Sequence, residues 1–295
     1  MTDIDRKFWP EDTVFIVYLT TITILVTLFH RDVSNWWIYA LIHSVSVCLV
    51  ILWVRYASVS RNRIVQTLRY WYIPIVLGFF YEQIDDVITV IHSRYLDHYV
   101  YNFELNLLGF HPSVAMERVT TPLVTEFVNI GYHSYYWIGP ALGLSLYLKK
   151  DYIPFRRTLF SLLVAFFVSY VGFILFPIIG PRYELAHLYD APLTGYAVTR
   201  LQEFMMEKGD IMGGCMPSSH VAVALVVLLC AWTYRKKMAL VFTPLVITLA
   251  VATVYNRYHY VSDVAGGIVI GLAAFYFGKW VYRDEGTAVA VESRK

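Results

Sequence analysis

Long apolar runs are the feature that most restricts what this chain can fold into. A helix needs about 20 mostly apolar residues to cross a bilayer, where backbone N–H and C=O groups must pair with each other because water cannot reach them. Such runs occur at Trp36–Val54, Leu159–Phe176, Met238–Tyr255 and Tyr260–Val281. Val14–Phe29 is uncharged but slightly shorter, Phe127–Leu148 has a polar start, Ser219–Tyr234 is short, and Ile64–Tyr81 carries Arg69 and Pro74. Together they predict an all-α integral membrane protein with about eight transmembrane helices. The composition agrees, at 58% hydrophobic and 16% charged, against about 45–50% and about 25% in soluble domains. It excludes a disordered chain, a nucleic-acid partner held by bulk charge, and a small disulfide scaffold. Of the three cysteines, Cys48 and Cys230 fall inside apolar runs, which predicts buried thiols and no disulfide framework.

Charge sets the orientation. If all eight runs cross, 17 of the 24 Lys and Arg residues share one side with both termini, and the other side holds 7. The cation-rich side is then cytoplasmic. Leaving out Ile64–Tyr81 would put two loops of four cations each on opposite sides, so parity supports that run as a span. Met1–Thr13 has more acidic than basic residues, unlike a cleavable signal. Residues 1–295 show no repeat or linker and are expected to form a single membrane domain. For a chain of this size the expected location is the bacterial inner (plasma) membrane.

Two outer segments are long. Within Glu82–Glu126, Ile84, Val87, Ile88, Ile91 and Tyr95 recur at helical spacing, which predicts an interfacial amphipathic helix. Asp85 and Asp86 fall on its other face and, with Glu82, are expected to be solvated. Within Tyr183–Met216, Val198, Leu201 and Met205 predict a second interfacial helix, with an ordinary surface loop as the alternative.

This topology brings three polar clusters to the outer face: Gly180-Pro181-Arg182, Met216-Pro217-Ser218-Ser219-His220, and Asn256 to Asp263. Pro217 followed by two serines is a helix-start signal, and free N–H groups at such a start bind phosphate oxygens. Ser218 and Ser219 add hydroxyl donors. His259 and Asp263 are four apart and share a helical face, so Asp263 can take the proton of one ring nitrogen and leave the other nucleophilic. Arg182 and Arg257 are fork-shaped cations suited to phosphate. Such a set carries out phosphoryl transfer without a metal or other cofactor, because the helix start and two Arg supply the positive charge.

Pro217-Ser218-Ser219-His220 resembles the Pro-Ser-Gly-His motif of the type 2 phosphatidic acid phosphatase superfamily, and His259-x3-Asp263 resembles its His-x3-Asp. The Gly-Pro-Arg-Tyr cluster and the looser stretch from Glu104 to Gly109-Phe110-His111-Pro112 look more like its inositol-phosphotransferase branch, which includes inositol phosphorylceramide synthases. The resemblance is strongest over residues 159–281. It implies a six-helix phosphatase-type core and a phosphohistidine intermediate. By matched position His259 would attack phosphorus, Asp263 would orient it, His220 would protonate the leaving alcohol, and Ser218 would hold a phosphate oxygen. The chain departs from the family pattern at several positions. Leu175 stands where the first motif has Lys, and Thr253 stands where the third has Arg. Arg257 lies one helical turn after Thr253, and Ser219 replaces Gly.

The resemblance implies a lipid phosphate as substrate and either water or an alcohol, such as a sphingolipid, as acceptor. A lipid transporter or scramblase is the rival reading. It requires broken spans in two matching halves, which the sequence does not show. A metal-dependent phosphotransferase would need several Asp on adjoining spans, and only Asp263 lies well inside one. The remaining histidines are expected to be structural, Cys215 carries no assigned role, and Gly267 and Gly271 read as a close helix contact.

Overall fold

The computed structural model describes residues 8–209 and 211–283, and every regular element among them is helical. The chain divides into two compact units, Met1–Val90 and Ile91–Lys295.

The first unit consists of α1 (Pro10–Leu28), α2 (Trp36–Val59) and α3 (Arg63–Glu82), with α2 packing on both α1 and α3. Pro10 opens α1, and the Asp12 carboxylate accepts the Trp9 N–H at 2.7 Å, closing the helix start. The same carboxylate forms a bidentate ion pair with Arg69, whose guanidinium lies 3.7 Å above the Trp9 ring. This pairing lets α3 carry a buried Arg, and the helix continues through Pro74. α2 buries only His43, Val50, Val54 and Ala57. Its seam is narrow and Cys48 lies on the exposed face, so the expectation of a buried thiol there is corrected. Cys230 is buried as expected, and no cysteine is paired among the described residues.

Residues 83–91 form turns and a bend and not the amphipathic helix expected there. Bonds from Val87 to Ile84 and from Val90 to Val87 span three residues and wind the backbone more tightly than an α-helix. The faces are as read over the first turns, where Ile84, Val87 and Ile88 are buried and Asp85 and Asp86 are exposed, with Asp86 accepting from the Tyr39 hydroxyl. Ile91, expected on the apolar face, is exposed because the tighter winding turns it away. The Glu82 side chain lies outside the described residues.

The second unit runs α4 (Asp97–Leu108), α5 (Pro112–Ala115), α6 (Pro122–His133), α7 (Tyr135–Leu148), α8 (Tyr152–Leu175), α9 (Pro181–Glu184), α10 (Ala197–Gly209), α11 (Ser219–Tyr234), α12 (Lys236–Tyr255) and α13 (Val261–Val281). α11 is the hub of this unit and packs against α7, α8, α12 and α13. Glycines set its distance from α13. A Cβ on Gly267 would sit 2.5 Å from the Ser218 carbonyl oxygen, and one on Gly271 would sit 2.7 Å from that of Ala222. The small-x3-small pattern therefore does the packing expected of it.

Among the described residues, five helices are long and apolar enough to cross a membrane: α1, α2, α8, α12 and α13. α11 is apolar but has 16 residues. The run Phe127–Leu148 divides at Ser134 into α6 and α7, of 12 and 14 residues, so neither is long enough alone. α10 forms where the second interfacial helix was expected, but it turns Thr199 and Gln202 inward and exposes Leu201 and Phe204.

Candidate active site

Backbone contacts within the second unit draw the three polar clusters together. Ile178 and Gly214 form an isolated bridge, and the Cys215 N–H donates to the Ile178 carbonyl at 3.1 Å. The Arg182 N–H donates to the Arg257 carbonyl at 2.7 Å. The Ser218 N–H donates to the Asp263 carbonyl at 2.9 Å, tying the start of α11 to the first turn of α13. Gly180 adopts φ +88°, and a Cβ there would meet the Tyr258 carbonyl oxygen at 2.5 Å and the Cys215 sulfur at 2.9 Å. Only glycine satisfies both the conformation and the close approach. The Cys215 thiol donates to that carbonyl, a structural contact.

α11 begins at Ser219 with Ser218 as its N-cap, as the Pro-Ser-Ser signal predicts. Yet the Ser218 hydroxyl does not cap the helix. It is fully buried and has no hydrogen-bond partner among the described residues. Of the other buried polar atoms in this state among the described residues, two belong to the same clusters, Nδ1 of His220 and Oδ1 of Asp263. A buried polar group left unpaired costs about 1–3 kcal/mol. Their gathering at one place points to a polar ligand.

The histidines face one another with ring centroids 5.9 Å apart. His259 is buried on the turn before α13, and its Nδ1 lies 3.4 Å from Oδ2 of Asp263. The same oxygen accepts the Tyr260 N–H at 2.8 Å, which fixes the carboxylate across the helix start. With the proton on Nδ1, the lone pair is on Nε2. Nε2 of His220 lies 3.0 Å from the Tyr132 hydroxyl of α6, and the Tyr135 ring centroid is 4.5 Å from the imidazole.

The two arginines differ. The Arg182 guanidinium lies near the Tyr183 and Tyr258 rings, at 5.9 and 5.8 Å, and pairs with no carboxylate among the described residues. Arg257, at φ +64°, donates to Glu117 at 2.9 Å and to the Ala191 carbonyl at 2.8 Å, and lies over the Tyr189 ring at 3.8 Å. It reaches a phosphate only by exchanging one anion for another. Beside Glu117 is an open cavity of about 490 Å³ lined by His111, Arg118 and Asp190.

Several supporting residues carried little or no sequence signal. On α4, Glu104 accepts both the N–H and the hydroxyl of Ser262, at 2.6 and 2.8 Å. Asp97 accepts the N–H groups of Ile179 and Gly180, at 3.0 and 2.8 Å. Burial raises the Asp97 pKa, against the effect of these hydrogen bonds. One helix thus holds the loop before Arg182 and the start of α13. The Asn129 amide donates to Thr199 of α10 at 3.0 Å and accepts from Asn256 at 2.7 Å. Glu126 gathers the N–H groups of Tyr196, Val198 and Thr199. Glu104 belonged to a loose motif, whereas Tyr132 was one of 24 tyrosines and Glu117 one of many surface acids.

Residues 98–277 match the family model described as the PAP2 superfamily. The match begins well before the strongest motifs and takes in α4. The chain is also 25% identical over 179 residues to the PA-phosphatase related-family protein of Dictyostelium discoideum, covering 53% of this chain and 32% of that protein. It therefore spans about a third of the length of that relative. No solved structure matches.

Proposed function

This chain belongs to the PAP2 superfamily, and from that premise we propose that it transfers a phosphoryl group on a lipid through a phosphohistidine on His259. The observation that carries this reading is the pair of facing histidines among three unpartnered buried polar atoms, with Asp263 against Nδ1 of the first. Asp263 holds His259 in the tautomer whose Nε2 attacks phosphorus. His220 protonates the departing lipid oxygen. Ser218, Ser219 and Arg182 hold phosphate oxygens, joined by Arg257 when phosphate displaces Glu117. The helix start and the guanidinium groups supply the charge stabilisation that a metal gives elsewhere.

The topology that suits this chemistry has eight spans, with α3, α11 and the α6–α7 pair joining the five long apolar helices. Both termini are then cytoplasmic and the site lies on the outer face of the plasma membrane, so a lipid head reaches it while its tails stay in hydrocarbon. The phosphohistidine has two fates, water or an alcohol. The open cavity beside Glu117, where His111, Arg118 and Asp190 stand among Phe110, Val114 and two alanines, gives room for a head group and supports transfer of an inositol-phosphate type of head. The alternative is a lipid transporter or scramblase without phosphoryl transfer.

Incubating the purified protein with radiolabelled phospholipids, with and without inositol or ceramide, tests the proposal. Release of inorganic phosphate identifies hydrolysis, and a new phosphodiester identifies transfer. Acid-labile, base-stable label on His259 supports the intermediate. Lipid movement between leaflets with no bond cleavage overturns the reading. EDTA is expected to leave turnover unchanged, and loss with recovery on added Mg²⁺ would overturn the metal-free mechanism.

A further inference from the structure

Resting on the proposed role of His220 as the acid, we infer that Tyr132 is its positioning residue, holding Nε2 so that Nδ1 is the nitrogen that exchanges protons with the substrate. Tyr132 sits on α6, outside every motif, and is 2% exposed. Its hydroxyl oxygen is 3.0 Å from Nε2 of His220. Tyr135 follows at i+3, and the two rings lie 5.2 and 4.5 Å from the imidazole. The Tyr132 ring also meets that of Tyr258, next to His259, edge-on at 5.4 Å. The imidazole is therefore tethered at one nitrogen and flanked by two aromatic rings. The nitrogen that remains, Nδ1, is buried with no hydrogen-bond partner among the described residues.

The proton balance follows from this arrangement. With the phosphate anion bound beside it, His220 takes up a proton from solvent and becomes an imidazolium whose Nε2–H donates to the Tyr132 oxygen. The Nε2 lone pair of His259 forms the P–N bond as the P–O bond to the lipid alcohol breaks. The electron pair of that bond leaves on oxygen, which takes the Nδ1 proton of His220. His220 is then neutral, keeps its Nε2–H on Tyr132, and has a lone pair on Nδ1. In the second half, the acceptor hydroxyl gives its proton to Nδ1 while its oxygen forms the new P–O bond. The P–N bond breaks and its pair returns to His259. Without the phenol oxygen the ring is free to turn over and exchange its nitrogens, so a fraction of molecules is poised wrongly for both halves.

The test compares wild type, Tyr132→Phe, His220→Ala and the double variant of the full chain. Substrates are phosphatidic acid and phosphatidylinositol, with 4-nitrophenyl phosphate as an ester whose leaving group needs no acid. Tyr132→Phe is expected to lower kcat on lipid by about 10- to 100-fold, the worth of one hydrogen bond to a charged group. KM on lipid and the first-turnover burst of 4-nitrophenol from the aryl ester, whose leaving group needs no acid, stay within about twofold. On the His220→Ala background Tyr132→Phe costs nothing more, because the hydroxyl acts only through the ring. Equal losses in lipid turnover and in the 4-nitrophenol burst, an additive loss in the double variant, or unchanged lipid turnover would each overturn the inference. The underlying reading fails separately and visibly, if His220→Ala alone loses the 4-nitrophenol burst as completely as it loses lipid turnover.

Discussion

Each unit of this protein buries a polar cluster, and the two clusters are built on opposite rules. In the first unit the Asp12 carboxylate takes both arms of Arg69 and the Trp9 N–H, with a ring over the guanidinium. In the second unit the Ser218 hydroxyl, Nδ1 of His220 and Oδ1 of Asp263 are buried without hydrogen-bond partners. A saturated cluster has nothing left to offer a ligand, and its removal costs stability. An unsaturated one costs stability as it stands, and its partners come with a substrate. Unpartnered buried atoms also occur singly elsewhere, as at His43 and Ser161, so it is their gathering on three neighbouring motif residues that separates this cluster from an internal brace.

The largest expected effect falls on the unsaturated side. His259→Ala should lower turnover of both lipid and aryl ester by more than about 10⁴-fold, as loss of a nucleophile does, while the melting temperature in detergent barely moves. Retained aryl ester activity would mean that the nucleophile is elsewhere. Arg69→Met should do the reverse, leaving the Asp12 carboxylate buried and unpaired. It is expected to cost about 3–5 kcal/mol in denaturant unfolding with unchanged turnover per folded molecule. A fall in kcat without a fall in stability would break the contrast between the clusters.

Ser218→Ala sharpens the contrast most directly. Because its hydroxyl bonds nothing among the described residues, the variant should melt no lower than wild type and yet lose about 10²-fold in kcat/KM, as when one transition-state donor is removed. A lower melting point with intact activity would move Ser218 to the structural side. The smallest effect separates the arginines. Arg182→Ala should cost about 10²-fold in rate. Arg257→Ala should cost less, about tenfold, and also lower the melting temperature, since Glu117 and Tyr189 lose their partner. Equal rate losses with no melting change would show that both guanidinium groups serve the phosphate alike.

Much of the candidate site was legible because its residues are close in sequence. His259 and Asp263 are one turn apart, and Pro217, Ser218, Ser219 and His220 adjoin a helix start, so local geometry already assembles each half. The hydrophobic runs likewise marked every long helix, since the solvent that selects them acts on about 20 residues at a time. Residues 84–91 show the limit of that reading. Their spacing sorted buried Ile84, Val87 and Ile88 from exposed Asp85 and Asp86 but failed at Ile91, which is exposed, because an apolar rhythm over two turns suits a tight series of turns as well as a helix.

The sequence by itself determined a helical chain with membrane-length apolar runs, the local motifs that hold His220, His259 and Asp263, and a glycine pattern suited to close helix contact. Only the tertiary structure decided which nitrogen of His220 is tethered, that Glu104 on α4 holds the start of α13, and that Arg257 is committed to Glu117 while Arg182 is not. Those contacts join residues separated by 88, 158 and 140 positions. No local periodicity encodes a pairing across such distances. It is set when whole helices dock, by which side chains that docking brings to the same few ångströms.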